Sequence, residues 1–548
     1  MAHLEHRFTP ENQTMMQGFE WYVPPDQKHW QRLVDAISGL KAIGINTIWL
    51  PPGCKASSPQ GNGYDIYDLY DLGEFEQKGS RSTKWGSKED LMHLVDRAEE
   101  VGISLCWDAV LNHKAAADYK ERCLAVRVDP EDRNKEISKP YAIEAWLGYE
   151  FPGRRDRYSS QKYHWYHFSG TDWDDAARKN AIYKLQGKQW SKAVAKEHGN
   201  YDYLMFGNLD YSNLEVREDV KRWIEWIGKE TRIKAVRFDA VKHYSQDFLR
   251  DLLYYLDRRD GVNWFLVGEY WRDDVQELLQ YLERLDHKFS LFDVPLAYQF
   301  SRMSMSGFAD LRLIFDKTLV KHKPHSAVTF VMNHDTQPSQ SLEADVAPYF
   351  KPLAYALILL RKDGYPCIFY GDLYGIKGPY PQRPACKGRL PDLCRARKLY
   401  SYGTQNDYFD SAHCIGWTRE GTWDRPNGLA CIMSNGGVRT KTMYVGERHQ
   451  GEVWTDVLGW SKSEVKIDAQ GNGVFPCRGT SVSVYVSQDA TGRNEFGKFD
   501  ADIYETGEPG YQDIEADLYT WKAAAWDLWL RLRELLRLPA GEEVSEHS

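Results

Sequence analysis

The residues with the most chemical content lie between Val236 and His243, in the run Val-Arg-Phe-Asp-Ala-Val-Lys-His. Ile233, Ala235 and Val236 read as the start of a buried strand, yet the strand goes on to carry Arg237, Asp239, Lys242 and His243. Charge on a buried strand is costly unless it is paired or used. Taken alone, Arg237 and Asp239 suit a structural ion pair as well as a working one. The same oddity recurs at other apolar runs: Asp108 with Asn112-His113, Glu269 in Gly-Glu-Tyr-Trp, and Asn333-His334-Asp335. Carboxylates on several strand ends around one mouth are what glycoside hydrolysis requires. One protonates the leaving oxygen, and another stands on the opposite face of the sugar as nucleophile or base. Arg237 precedes Asp239 by two residues, so a strand turns both side chains to one face. The cation there is expected to keep Asp239 ionised. Glu269 lies beside Tyr270 and Trp271, a setting suited to a carboxyl that arrives protonated.

The elements that must position these groups alternate between strand and helix. Apolar runs occur at Met15–Trp21, Asn46–Pro52, Ile103–Val110, Ala235–Phe238, Trp264–Gly268, Ser290–Val294, Val328–Met332 and Pro366–Tyr370. Between the first two, Trp30, Leu33, Val34, Ile37, Leu40 and Ile43 recur at helical spacing and Gly44 closes the run. Eight such strands predict an α/β fold, a (β/α)8 TIM barrel whose strand ends carry the chemistry. The alternation fails after His113, which predicts an inserted irregular β-rich domain over 114–214. The barrel would then occupy 1–113 and 215–399, followed by a C-terminal antiparallel β-sandwich over 400–487. Residues 488–548 hold 14 Asp/Glu against 6 Lys/Arg, an acidic tail. Within it Leu518, Trp521, Ala525, Leu528, Leu532 and Leu535 predict an amphipathic helix. It is too short for a sustained coiled coil, although it offers a face for a protein partner.

Composition narrows the function. Of 548 residues, 42% are hydrophobic and 27% charged, as in a soluble globular protein, and 20 Trp with 34 Tyr lean slightly toward sugar stacking. A net charge of −9 without a basic stripe argues against nucleic acid. No segment has the length of apolar residues a membrane span needs, and the first residues lack the apolar core of a secretory signal. The nine cysteines are scattered without CxxC spacing, which argues against zinc and disulfides. A cytoplasmic protein is the expectation.

With these residues in view, the sequence resembles the α-amylases of glycoside hydrolase family 13. It is similar in particular to the bacterial liquefying enzymes and, lacking a signal, to intracellular enzymes of filamentous fungi. The resemblance runs from Thr14-Met15-Met16-Gln17-Gly18-Phe19-Glu20-Trp21-Tyr22 through Tyr67–Phe75 and Asp202-Tyr203-Leu204-Met205 to Asn333-His334-Asp335-Thr336-Gln337-Pro338. It implies Asp239 as nucleophile, Glu269 as general acid/base and Asp335 as a third carboxylate holding sugar hydroxyls. It implies that His113 and His334 bond the sugar at the cleavage point, that Tyr64 stacks on it, and that Lys242 and His243 line the acceptor side beside Arg237. It also implies Ca2+ held by Asn112, Asp202, Asn208 and the backbone carbonyl of His243. Relatives usually carry Asp at position 208, so one charge is missing and a single weaker site is expected. Ser169, Ser191 and Ser212 stand where relatives have acids around Asp210, so a second metal cluster is not expected. Met332 replaces the Asp that relatives place before Asn-His-Asp.

The activity this implies is endo-acting hydrolysis of internal α-1,4 bonds in starch, glycogen or maltooligosaccharides, with retention of configuration. Two alternatives share these residues. A 4-α-glucanotransferase would pass the same glycosyl-enzyme to a sugar acceptor, and a weakly active α-glucan-binding or regulatory protein would use only the binding surface.

Overall fold

A computed structural model describes residues 8–260, 264–307 and 309–504; the expected tail helix at 518–535 lies outside the described residues. Eight parallel strands close into a barrel: β1 (Met15–Gln17), β2 (Thr47–Trp49), β3 (Ser104–Ala109), β4 (Ala235–Phe238), β5 (Phe265–Gly268), β6 (Ser290–Phe292), β7 (Ala327–Phe330) and β8 (Tyr365–Phe369). Each overlaps one of the eight apolar runs, because a strand covered on both faces is mainly apolar. The first two runs are longer than their strands. After Gln17 and Trp49 the chain leaves the ladder to build the mouth, and the amide of Gly18 donates to Trp49 O as it departs.

The helices end where their sequences say they should. Helix α1 (His29–Ile43) buries Trp30, Leu33, Ile37, Leu40 and Ile43, and Gly44 takes the left-handed conformation (φ 100°) that stops it. Helix α2 (Lys88–Val101) starts at a capping box between Ser87 and Asp90 and ends at Gly102. Helix α3 (Leu214–Thr231) buries Val216, Val220, Trp223, Ile224 and Ile227 immediately before β4.

The stretch after β3 forms a six-stranded antiparallel sheet. It begins with His113–Lys114, and its strand Gly207–Leu209 returns to pair antiparallel with that short segment. The register sets Asn208 opposite His113, so the insertion closes on the barrel mouth. Beyond the barrel, a second six-stranded sheet and a two-stranded sheet (Arg439–Tyr444 with Asn472–Cys477) bury Ala430, Ile432, Met443, Phe475 and Tyr485 in a core of their own.

Candidate active site

Strand register assembles the site. β4 pairs with β3 so that Arg237 lies opposite Asp108, and with β5 so that Phe238 lies opposite Gly268. Glu269 is therefore carried just past the neighbouring strand end. Arg237 is fully buried and sits at the centre of the carboxylates. Its Nη1 donates to Asp108 Oδ1 and to Asp239 Oδ1, both at 2.7 Å, while Nη2 stands 2.8 Å from Glu269 Oε1. The last contact is an ion pair whose alignment falls short of a hydrogen bond. A planar fork that meets several carboxylates at once is a task for arginine and not for lysine. The expectation of a mainly apolar setting for Glu269 is thus corrected: its neighbours include a cation.

Asp108 is anchored on its other oxygen, where Oδ2 accepts from Trp49 Nε1 and Tyr64 Oη, each at 2.9 Å. Glu269 Oε2 accepts from the amide of Ala240 at 3.2 Å. Ala240 has φ 50°, a left-handed conformation unusual for a residue with a Cβ. It turns the chain directly after Asp239 and aims that amide at Glu269.

Burial dominates the protonation of this set. The Asp239 carboxyl is pushed up to about 7 by loss of solvent, with Glu269 and Asp108 adding to the rise and Arg237 only partly opposing it. The Arg237 cation, expected to keep Asp239 ionised, works here against burial and two neighbouring carboxylates. One guanidinium serves three carboxylates, and it cannot neutralise them all. Asp335 is raised well above its usual range by burial and by Glu269, and Asp108 is raised by burial. Asp108, Asp239 and Asp335 are all raised, and in each burial is the first cause.

The histidines are held as neutral donors and acceptors. Burial holds His113 down at about 4 and pushes His334 well below the usual imidazole value. His113 Nε2 donates to Tyr64 O at 2.8 Å, and its Nδ1 is buried without a protein partner. Gln17 Nε2 donates to His334 Nδ1 at 2.9 Å, so the ring's proton is on Nε2, 3.3 Å from Asp335 Oδ2. The rings of Tyr64 and His334 are parallel at 5.0 Å, and Trp21 lies parallel to each at 6.0 Å. This array of flat faces includes Trp21, which the sequence reading quoted without a role. Its position follows from buried Glu20, whose Oε2 accepts from Gln337 Nε2 (3.0 Å), while Gln337 Oε1 accepts from the Trp21 amide (3.1 Å).

Lys242 and His243 leave the mouth toward the insertion. Lys242 Nζ pairs with Glu197 Oε2 at 3.0 Å and donates to Trp271 O at 3.0 Å. Arg272 Nη1 reaches the same Glu197 at 3.2 Å. The His243 ring bonds Tyr201 O at 2.9 Å and is held at about 3 by burial. Glu197 carries no sequence signal of its own, since only the folded insertion brings it to the barrel.

The residues implied for a metal present mostly neutral oxygen donors. Asn112 Oδ1 is buried without a partner, while Asn112 Nδ2 donates to Asn208 Oδ1 at 3.2 Å. Asn208 Nδ2 donates to Ser169 Oγ at 2.9 Å. Asp202 is buried and pushed up to about 7, with only serine and asparagine side chains against its Oδ2. An orphaned amide oxygen, linked through Asn208 to a buried carboxylate without a cationic partner, fits a hard, oxygen-seeking ion. Only one carboxylate is offered, and among the described residues no group of three or more His, Cys, Asp or Glu is arranged for a metal. At the neighbouring Asp210, Lys188 Nζ makes a 2.7 Å ion pair and Ser212 caps the same carboxylate.

Comparison with known proteins agrees with this geometry. Residues 28–421 match the model of the α-amylase catalytic domain. An α-amylase of Bacillus licheniformis is 47% identical over 480 residues, spanning 87% of this chain and 94% of that protein. The cytoplasmic α-amylase of Escherichia coli is 40% identical over 492 residues, spanning 87% and 99%. The crystal structure of an Anoxybacillus α-amylase superposes with a TM-score of 0.57 at 18% identity, covering 87% of this chain and 97% of that one, a likeness of fold. The barrel, its strand-end carboxylates and these relatives together place the chain in the α-amylase family.

Proposed function

We propose that this protein is an endo-acting, retaining α-amylase that cleaves internal α-1,4-glucosidic bonds of starch, glycogen or maltooligosaccharides. The observation that carries the reading is the sharing of Arg237 by Asp239 and Glu269 at one barrel mouth. The shared guanidinium brings both carboxyls to one bond, and retention is carried over from the likeness to the α-amylase family, since retaining enzymes set the pair about 5 Å apart. Inverting enzymes need a wider gap to admit water.

In this account Asp239 attacks the anomeric carbon while Glu269 gives its proton to the departing glucosyl oxygen, leaving a covalent glycosyl-enzyme. Glu269 then takes a proton from water, which attacks the same carbon and releases Asp239. Asp335 and His334 bind hydroxyls of the sugar being cleaved, with His113 Nδ1 accepting another. Tyr64 offers its ring to the sugar face. Lys242 and His243 support the acceptor side, together with Glu197. Asn112, Asp202, Asn208 and the His243 carbonyl would hold one Ca2+, whose charge would tie the insertion to the barrel.

The relative from Escherichia coli named as cytoplasmic supports a cytoplasmic setting. Among the described residues no helix is long and apolar enough to cross a membrane. The test is turnover of a defined oligosaccharide. Wild type should shorten maltoheptaose and Asp239→Asn should not. Products longer than the substrate would identify a glucanotransferase instead.

A further inference from the structure

The active-site mouth is not the only opening of the barrel. At the opposite end, where the strands begin, lies a cavity of about 1000 Å³. This end of a barrel ordinarily serves stability and not chemistry. Here Thr47, Ser104, Ala235, Phe265 and Tyr365, each the first residue of its strand, line the opening. Ser104 is exposed, although it belongs to a barrel strand.

Two features give the cavity a chemical preference. The first is charge. Arg232, Lys234, Lys362 and Arg397 line it against only two carboxylates, Glu99 and Asp363. Both of those are engaged by arginine, Glu99 by Arg232 at 3.0 Å and Asp363 by Arg361 at 3.6 Å; Arg232 also pairs with Asp96, so the excess positive charge rests on Lys362 and Arg397. Arg397 is buried, and its guanidinium bonds main-chain carbonyls: Gln13 O at 3.0 Å and Leu359 O at 2.7 Å. Carbonyls satisfy its donors but leave its charge uncompensated, and burial beside Arg419 lowers it to about 10. A positive, partly apolar cavity in a chain of net charge −9 runs against the overall field.

The second feature is the wall. Phe265 and Tyr365 meet edge to face at 5.4 Å, and Tyr365 Oη is bonded with Thr47 Oγ1 at 2.9 Å. Aromatic faces with a few placed hydroxyls and fixed cations make the lining of a small-molecule site, and guanidinium with ammonium groups favours phosphoryl oxygens.

We propose that the cavity at the strand-start end of the barrel is a binding site for a phosphoryl group, free or carried on a sugar, separate from the carboxylate mouth. The phosphoryl group sits against Lys362 within the field of the uncompensated Arg397 charge, and a sugar body, where present, lies against Phe265 and Tyr365.

Calorimetric titration of the full-length protein with inorganic phosphate and, separately, with glucose 6-phosphate tests this. Sodium chloride at matched ionic strength is the control. Both ligands are expected to bind, and Lys362→Glu and Ser104→Glu are each expected to weaken binding at least tenfold. Neither residue belongs to the carboxylate site, so maltoheptaose turnover by both variants reports intact folding. Tighter binding of the sugar ester assigns the sugar-phosphate form; equal binding assigns free phosphate. Absence of binding by wild type at millimolar ligand, or unchanged binding by both folded variants, overturns the proposal.

Discussion

Glu269 and Arg237 stand 2.8 Å apart although they lie on different strands, because the β4–β5 register carries the glutamate one position beyond the shared ladder. That contact makes Arg237 a common partner of the two groups assigned to covalent catalysis.

Arg237→Lys should keep a positive charge and lose the fork. A point charge cannot serve Asp108, Asp239 and Glu269 together. We expect kcat on maltoheptaose to fall by about two orders of magnitude, as when a placed electrostatic contact to the reacting groups is lost. Stability should drop by about 3–5 kcal/mol, the range for breaking a buried ion pair. Denaturant titration beside steady-state kinetics measures both; wild-type kcat in the lysine variant would contradict the shared-fork account.

The raised Asp239 value gives a pH dependence with a definite sign. A carboxyl whose folded value lies near 7, above its ordinary value of 3.8, binds protons more tightly folded than unfolded. Its stabilising contribution is full below the ordinary value and is lost as pH rises toward 7 and above. Asp239→Asn removes the ionisation, so its melting temperature should exceed that of wild type at pH 8. The gain should shrink as pH falls to 5. An equal difference at both pH values would show that Asp239 titrates at an ordinary value.

Tyr64 does two things at once: its ring lies parallel to His334, and its hydroxyl bonds Asp108. Tyr64→Phe should leave KM for maltoheptaose within about fivefold, since one hydrogen bond contributes about 1 kcal/mol. Tyr64→Ala, which also removes the flat face, should raise KM more than tenfold. Equal effects from the two variants would remove the stacking role.

The metal reading is tested by charge. Chelation should lower the melting temperature of wild type, and added Ca2+ should restore it. Asn208→Asp supplies a second carboxylate beside Asp202, so it should bind Ca2+ at least tenfold more tightly. A chelation-insensitive melting temperature in both proteins would show that the cluster does without the ion.

Much of this was legible in the sequence, for identifiable reasons. The barrel strands are short apolar runs, and their polar ends stand out against them, so Asp108, Asp239, Glu269 and the Asn333–Asp335 run announced themselves. The two-residue step from Arg237 to Asp239 correctly put both on one face. Cross-strand register was not legible, and with it went the contact of Arg237 with Glu269. The rise of Asp239 was missed because burial outweighs a nearby cation, and burial belongs to the fold. Glu197 reaches Lys242 only after the insertion turns back, and the alignment of Trp21 depends on the bonds from Glu20 through Gln337.

The most direct measurement is the product profile from maltoheptaose with wild type, Asp239→Asn and Glu269→Gln side by side. The account predicts only shorter oligosaccharides from wild type, with the newly formed reducing ends released in the α configuration, and near-complete loss in both variants. Release of the β anomer would contradict the covalent route, and turnover by Asp239→Asn comparable to wild type would contradict the assignment of the nucleophile.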